Sequence, residues 1–334
     1  MAILPVFIPH AGCPHQCVFC NQKKISGQKS AAVAAARQQI IKWLQWLRPG
    51  KNNEAAFYGG SFTGLELSLQ KELLKMTDKL IQDGVIGSVR LSTRPDYIDE
   101  ARLKMLSQHH VKLIELGVQS MDNEVLRAAE RGHTAEDVCQ AAKLIKENGF
   151  KLGVQLMVGM PEQSFDSVQD TVEQITALQP DICRIYPLLV IKDTPLEKSY
   201  RAGSFVPLTL AEAIKQSAYV YQKMTENNVK VIRVGLQPDD ELCSEGNIVA
   251  GPFHPSMGEL VQSYLLQKNI TEKIKKLKNT EKIIIYVPVK MESKVRGLKN
   301  SNLDYWQKMF SDKQIIIRKH DCENIVVGEN NDQL

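Results

Sequence analysis

The chain has 334 residues, enough for one large domain or two ordinary ones, and its 43% hydrophobic and 24% charged side chains are typical of a globular protein. No run of 18 apolar residues occurs, and the first ten residues do not pair a basic segment with a long apolar one, so the sequence predicts neither a membrane span nor a signal peptide. We therefore expect a cytoplasmic protein whose seven cysteines stay reduced.

Apolar runs alternate with amphipathic stretches between residues 6 and 234, which is the pattern of repeated β/α units. Ser30 precedes the first helical stretch, and Thr134 is placed to cap the fourth. Six such units favour an α/β fold, a partial (β/α)6 TIM-like barrel. The sequence predicts helices at 31–47, 67–82, 99–108, 135–147, 165–178 and 208–225. It predicts strands at 6–9, 55–58, 88–92, 113–117, 152–158, 183–186 and 229–234.

Three cysteines follow the first predicted strand with the spacing C-x3-C-x2-C: Cys13, Cys17 and Cys20. Closed zinc sites use four ligands and iron–sulfur cubanes normally take four cysteines, so three thiolates leave one metal position open. The alternative is a zinc site completed by His10 or His15 in a non-catalytic scaffold. The other cysteines have no ligand spacing and are expected to be small buried side chains: Cys139, Cys183, Cys243 and Cys322.

Five more predicted strands end in glycine-rich or polar segments. In a parallel barrel the carboxyl ends of the strands share one face, and that face carries the active site. The sequence therefore predicts a single site built from all of these segments. In chain order they are Gly59-Gly60-Ser61, Ser92 to Asp96, Gln119-Ser120, Gly159 to Glu162, and Tyr186-Pro187.

Two arginines near strand ends each have two interpretations. Arg94 either binds a carboxylate of a cofactor or substrate, or anchors the neighbouring Asp96. Arg233, at the end of the last predicted strand, has the same two roles open to it. Glu115 and Gln119 are predicted to point into the barrel together, because side chains alternate along a strand with a period of two.

The motifs extend well beyond the cysteines. The segments IPHAGCPHQCVFC, YGGSFTGL, STRPDYID, IELGVQSMD, GVQLMVGMPEQ and GNIVAGPFHPSMGELVQS resemble the radical S-adenosylmethionine (SAM) region of the catalytic subunit of Elongator and of its small bacterial relatives. The resemblance covers about residues 1–265. Two departures limit it, because the gap between the first two cysteines is shorter here and no acetyltransferase segment follows. The resemblance therefore implies the cofactor chemistry but not carboxymethylation of tRNA uridines.

The resemblance also implies a set of cofactors and contacts. The three cysteines would hold a [4Fe–4S] cluster, whose open iron binds SAM, with an electron donor such as a flavodoxin or a ferredoxin. Phe19 would pack beside the adenine, and the strand that carries Gln155 would face it. The glycine turn would hold the amino group of the methionine moiety, although Ser61 replaces a residue that is often acidic in the family. The implied contacts with SAM come from Phe19, Gly59, Gly60, Ser61, Gln119, Ser120, Gln155 and Tyr186. For Tyr186 we favour a role in lining the pocket over donation of hydrogen to a radical.

The last quarter of the chain differs in charge from the rest. Residues 1–235 are predicted to form the barrel, and residues 236–334 a small α+β accessory region that covers its mouth and contains the strand-like runs IIIYVPV and QIIIRKH. The excess of positive charge lies beyond residue 250, and residues 268–299 hold ten Lys or Arg against three Glu. This run is either a solvated surface, with a small metabolite as substrate, or a contact for tRNA or another RNA.

Overall fold

A seven-stranded sheet forms the centre of the computed structural model, which describes residues 2–27, 33–238, 240, 242–277, 280–321 and 323–328. All neighbouring strands of this sheet are parallel, in the order β1-β2-β3-β4-β5-β6-β8. Each predicted strand is present, with ends shifted by a few residues. The strands are β1 (Ile3–Phe7), β2 (Glu54–Tyr58), β3 (Ser88–Thr93), β4 (Val111–Gln119), β5 (Lys151–Val158), β6 (Ile182–Pro187) and β8 (Lys230–Val234).

The large sheet curls into an open barrel. β1 and β8 are its edge strands, so the ring is not closed. Nη2 of Arg184 on β6 lies 2.7 Å from the hydroxyl oxygen of Tyr58 on β2. Four strand spacings would separate these strands by about 19 Å in a flat sheet, so the contact requires strong curvature around a central lumen. The predicted partial TIM-like barrel is therefore confirmed.

The helices between the strands begin at the caps that the sequence contains. Thr134 forms the predicted cap, with Asp137 completing a reciprocal capping box, and Gly149, with a φ of 77°, follows the end of that helix. Among the described helices, none is both long and apolar enough to cross a membrane. The helices before β8 are α1 (Gln22–Ser26), α2 (Val33–Leu44), α3 (Leu67–Gln82), α4 (Glu100–Ser107), α5 (Asn123–Ala128), α6 (Ala135–Glu147), α7 (Phe165–Ala177), α8 (Pro195–Arg201) and α9 (Leu210–Glu226).

The two faces of the sheet differ in chemistry. Phe57, Ile114 and Ile185 point outward and are fully buried in the main hydrophobic core beneath the helices. Their neighbours along the strands, including Tyr58 and Arg184, point inward because side chains alternate along a strand. The outward face therefore supplies the core, whereas the lumen is lined with polar and charged groups.

A second, smaller sheet follows β8, as the sequence predicts for the accessory region. It has the order β11-β10-β12, in which β10 (Lys282–Pro288) lies between β11 (Gln314–His320) and β12 (Val326–Gly328). One face packs on α10 (Met257–Lys276) and α12 (Ser301–Met309) around the fully buried Trp306, and α11 (Glu292–Arg296) contributes Val295. The predicted cap Ser30 and residues Ala31, Lys278 and Cys322 lie outside the described residues.

The predicted boundary between residues 235 and 236 stays a prediction. The large sheet ends at Val234, which agrees with a boundary there. A short antiparallel ladder nevertheless crosses it, because β7 (Val190–Ile191) pairs with β9 (Ile248–Ala250). The segment after β8 is therefore tied back onto the carboxyl end of β6.

Candidate functional site

The cysteine loop and the other predicted segments lie at one edge of the barrel. Because strands β1 to β6 are parallel, the segments that follow them all leave the sheet at its carboxyl end. The cysteine loop follows β1, and the glycine turn follows β2. The topology therefore brings these segments to one edge of the sheet, and their combination into a single site stays a prediction.

The cysteine loop runs from His10 to Asn21 and has little regular structure. Cys13 is exposed, Cys17 is buried and Cys20 is partly buried. The loop is held by its neighbours, because the Val18 N–H donates to the carbonyl of Ala129 over 3.2 Å. The fixed positions of the three thiols therefore depend on tertiary contacts.

Gln22, which directly follows the loop, bonds to a residue near each end of it. Its backbone N–H donates to Nε2 of His10 over 2.9 Å, and its side-chain Nε2 donates to Sγ of Cys20 over 3.4 Å. His10 is thereby an acceptor inside the loop, and its Nε2 is occupied. This arrangement disfavours His10 as a fourth zinc ligand through that nitrogen.

The glycine turn packs directly on the cysteine loop, backbone against backbone. A Cβ on Gly60 would lie 2.4 Å from the carbonyl oxygen of Ala11, and one on Gly12 would lie 2.1 Å from that of Ser61. The Ser61 N–H donates to the Ala11 carbonyl over 2.9 Å. Only glycine fits at Gly12 and Gly60 without displacing a backbone, so these two residues set how closely the two segments approach.

Ser61 joins the ends of β2 and β3. Its side chain is fully buried, and its Oγ lies 3.0 Å from Oγ1 of Thr93 and accepts the Arg94 N–H over 3.3 Å. The hydroxyl is thus already partnered within the protein.

Two arginines flank the thiols. Nη1 of Arg131 donates to Sγ of Cys17 over 3.2 Å, and Nη2 donates to the carbonyl of Gly117 over 2.6 Å, which leaves its buried Nε without a partner among the described residues. Nε and Nη2 of Arg94 donate to the two carboxylate oxygens of Asp96 over 2.9 and 2.8 Å. The buried Nη1 of Arg94 has no partner among the described residues. Arg94 therefore anchors Asp96, and it also keeps one donor free.

His133 lies buried beside these arginines. Neither ring nitrogen has a partner with good hydrogen-bond geometry in the described part of the chain, although the backbone of Val118 is near enough to oppose the lowering of the pKa of His133. Burial, followed by the positive charges of Arg131 and Arg94, lowers the pKa of His133 to about 3. The imidazole is therefore neutral at physiological pH. Sequence reasoning missed both Arg131 and His133, which follow a short helix that it did not predict.

The electrostatics of the thiols reflect opposing effects. Desolvation by the surrounding protein raises the pKa of Cys20 to about 12, and it also raises the pKa of Cys13 although that residue is exposed on one side. In both cases the charge of Arg131 opposes the shift. Cys17 interacts electrostatically with both of the other thiols. In the described residues, however, no three His, Cys, Asp or Glu side chains are drawn together at metal-binding distances.

The residue set nevertheless fits a cluster with an additional ligand. Three soft sulfur ligands lie beside cationic donors, which stabilise thiolates. The orphaned nitrogens of Arg94, Arg131 and His133 point to a polar group that the described residues do not supply, since buried polar atoms are nearly always paired.

The residues predicted to contact the adenine and the ribose differ in burial and in the hydrogen bonds they already make. Phe19 and Met157 share a partly buried apolar patch between the cysteine loop and the end of β5. Gln119 is buried at the end of β4 with a φ of 68°. Ser120 is fully buried, and its Oγ lies 3.2 Å from Oγ1 of Thr171, so its hydroxyl is occupied.

Gln155 belongs to a polar cluster in the lumen, centred on the fully buried Glu115. Glu115 accepts hydrogen bonds from Nε of Arg184 over 2.6 Å, from Nε2 of Gln155 over 3.2 Å and from the hydroxyl of Tyr58 over 3.4 Å. Arg90 adds an ion pair at 3.7 Å. Burial, followed by the charge of Glu115, raises the pKa of Tyr58.

Comparison with models of protein families shows which family the chain belongs to. The model for the radical SAM superfamily matches residues 7–175, and the model for the radical SAM C-terminal domain matches residues 180–267. The chain belongs to the radical SAM superfamily. The second match crosses the predicted boundary after residue 235, in line with the β7–β9 ladder.

Relatives of this radical SAM protein include the Elongator group, as its motifs predict. The tRNA uridine(34) acetyltransferase of Methanocaldococcus infernus is 27% identical over 311 residues, which cover 81% of this chain and 57% of the relative. Human Elongator complex protein 3 is 33% identical over 135 residues, 38% of this chain and 24% of the relative. The chain thus spans little more than half of the archaeal relative.

A solved structure supports the same relationship. The structure of the archaeal Methanocaldococcus infernus Elp3 with an N-terminal deletion matches with a TM-score of 0.65 at 27% identity. The match covers 80% of this chain and 63% of that one. The radical SAM fold is therefore shared with an Elongator-type protein over four-fifths of this chain.

Proposed function

We propose that this protein binds a [4Fe–4S] cluster through Cys13, Cys17 and Cys20 and uses it to cleave SAM reductively during the modification of an RNA. The observation that carries the proposal is the cysteine loop, packed on the glycine turn beside orphaned arginine and histidine nitrogens. When bound and reduced, the cluster would supply the electron for cleavage of a carbon–sulfur bond of SAM, giving methionine and a 5′-deoxyadenosyl radical. We assign the electron to a flavodoxin or a ferredoxin.

The chain's own residues have separate tasks in this proposal. The backbone of Gly59, Gly60 and Ser61 receives the amino group of SAM, because their side chains are absent or already bonded. The free donors of Arg94 and Arg131 suit its carboxylate, since guanidinium groups bind carboxylates by charge-assisted hydrogen bonds.

The rest of the cofactor lies toward β4 and β5 in the proposal. Phe19, with Met157 behind it, offers an apolar face to the adenine. Gln119 reaches the ribose, whereas Ser120 contributes its backbone because its hydroxyl bonds to Thr171. Gln155 instead stabilises the wall of the lumen, because its Nε2 donates to Oγ of Ser92 and to the carboxylate of Glu115.

Anaerobic reconstitution tests the cofactor chemistry without knowledge of the substrate. We expect about four irons and four sulfides per chain, and formation of 5′-deoxyadenosine from SAM after reduction. Cys17→Ser should lose both, whereas Cys139→Ser, which alters a cysteine outside the loop, should keep both. A chain that binds zinc alone, or a reconstituted protein that forms no 5′-deoxyadenosine, contradicts the proposal.

Support for an RNA substrate comes from the accessory region and from the relatives. Lys268, Lys275 and Lys276 lie exposed on the last turns of α10, and Lys275 pairs with Glu272 over 2.8 Å. Lys268 and Lys276 have no ion pair among the described residues, so both are available to phosphates. The archaeal relative is a tRNA uridine(34) acetyltransferase.

Charge reversal on α10 tests RNA binding. The double variant Lys268→Glu, Lys276→Glu should weaken tRNA binding and reduce the slope of log K against log salt by about 2. The matched control Lys71→Glu, Lys75→Glu changes two exposed lysines of α3 and should keep the wild-type slope. Absence of tRNA binding by the wild type at low salt contradicts the RNA proposal and favours a small metabolite.

A further inference from the structure

Arg233 faces the lumen from the last strand of the large sheet. In the register of β6 and β8, Arg233 lies beside Arg184, and Val234 lies beside Ile185. Partner residues on neighbouring strands point to the same face. Ile185 is buried in the outer core, and Val234 packs there as well. Arg233 therefore points inward with Arg184, whose guanidinium bonds to Glu115 inside the lumen.

Among the described residues, the charged side chains of the lumen are paired except at Arg233. Arg184 and Arg90 pair with Glu115, and Arg90 also pairs with Glu54. Arg233 is partly buried, and it makes no hydrogen bond or ion pair with any part of the chain that the structure describes. Two like charges side by side on adjacent strands destabilise a sheet. The fold thus retains a positive charge that costs stability.

The position of Arg233 makes it accessible to a ligand. β8 is an edge strand, so Arg233 lies along the open side of the barrel. The Tyr186 side chain, one strand away, is near enough to interact electrostatically with both Arg184 and Arg233. A guanidinium and a phenolic hydroxyl are both donors, so together they suit an acceptor group with several oxygen atoms.

We propose that Arg233 and the Tyr186 hydroxyl bind an oxyanion of the substrate, a carboxylate or a phosphate group, at the open side of the lumen. The inference rests on the proposed function in taking the lumen as the place of the substrate. It assigns Tyr186, which the resemblance placed among the contacts with SAM, to the substrate instead. It is separate from Arg94 and Arg131, which follow β3 and α5.

Thermal unfolding of the reconstituted protein without SAM tests this site. Sodium chloride, acetate and inorganic phosphate are compared at equal ionic strength. In chloride, Arg233→Gln should raise Tm by about 1–3 °C, because it removes a like charge beside Arg184. Acetate or phosphate should raise the wild-type Tm by about 2–4 °C, and Arg233→Gln should abolish that rise. A response to acetate alone identifies a carboxylate subsite, and a response to phosphate alone identifies a phosphate subsite.

Two further variants complete the test. Arg233→Lys keeps the charge but loses the planar fork, so it should retain part of the anion response. Lys230→Gln removes an exposed charge from the same strand and should leave the anion response unchanged. A lower Tm for Arg233→Gln in chloride, or an anion response that survives in it, overturns the inference. The measurement involves neither SAM nor electrons, so its result is independent of the 5′-deoxyadenosine assay.

Discussion

The barrel contains two buried polar clusters that differ in how fully their atoms are paired. The lumen cluster surrounds Glu115 and comprises Tyr58, Arg90, Gln155 and Arg184. The loop cluster lies beside the cysteines and comprises Arg94, Arg131 and His133. In the lumen cluster, Nε of Arg90 is the one buried atom without a described partner, whereas the loop cluster has four such nitrogens.

This difference predicts that the lumen cluster supports the fold, whereas the loop cluster serves to bind a ligand. A buried network in which nearly every polar atom is paired rigidifies the fold, and removing one member leaves its partners to bear the full cost of desolvation. A buried network with orphaned donors is incomplete until a ligand supplies acceptors. We therefore expect changes in the lumen cluster to lower stability, and changes in the loop cluster to alter ligand binding or pH response.

The largest effect should come from the centre of the lumen cluster. Glu115→Ala leaves Arg184 and Arg90 without their shared carboxylate, so the free energy of unfolding should fall by about 3–5 kcal/mol. Urea unfolding monitored by circular dichroism measures it. The control Glu173→Ala, at an exposed position of α7, should change stability by less than about 0.5 kcal/mol. A loss below about 1 kcal/mol for Glu115→Ala would show that this cluster does not support the fold.

Arg131 tests the loop cluster directly. Arg131→Gln should weaken SAM binding by about tenfold to a hundredfold, which corresponds to losing one charge-assisted hydrogen bond. Calorimetric titration of the reconstituted protein measures the affinity, and iron analysis confirms that the cluster is retained. Arg127→Gln changes an exposed arginine on α5 and serves as the control. Unchanged SAM affinity in Arg131→Gln would remove Arg131 from the cofactor site.

His133 links the loop cluster to acid stability. Its folded-state pKa of about 3 lies below the usual value of 6.5, so the unfolded chain takes up the proton first as pH falls. Stability is therefore complete above about pH 6.5 and declines toward pH 3. In the cluster-free chain, His133→Asn should lose about 2 kcal/mol less than the wild type between pH 6.5 and 4.5. Parallel urea unfolding at both pH values measures this, and identical losses would contradict it.

The smallest effect should come from the rim of the lumen cluster. Tyr58→Phe removes a hydroxyl that bonds to Arg184 but keeps the ring, whose centroid lies 5.0 Å from the guanidinium carbon. The free energy of unfolding should fall by about 1 kcal/mol. Chemical unfolding resolves this difference. A loss as large as that of Glu115→Ala would mean that the hydroxyl, and not the carboxylate, organises the cluster.

Local patterns in the sequence were enough to predict the barrel and the cysteine edge. Apolar runs bounded by glycine and polar residues mark each strand, and the cysteine loop and Gly59-Gly60 follow strands directly. Arg131 was beyond such reasoning, because its contact with Cys17 joins residues 114 apart in the chain. Ser120 illustrates the same limit, since its bond to Thr171 comes from the docking of α7, which no local pattern reports.

The backbone contact between Gly12 and Ser61 bears on the order of events during biogenesis. The cysteine loop has little hydrogen-bonded structure of its own, and a turn about fifty residues later in the chain holds it in place. The three thiols can thus reach their final positions only after β1 and β2 have paired. An unfolded chain offers metals a flexible set of thiols, whereas the folded chain offers a shaped one. If the proposed cluster is bound here, its iron should therefore be delivered after the chain has folded.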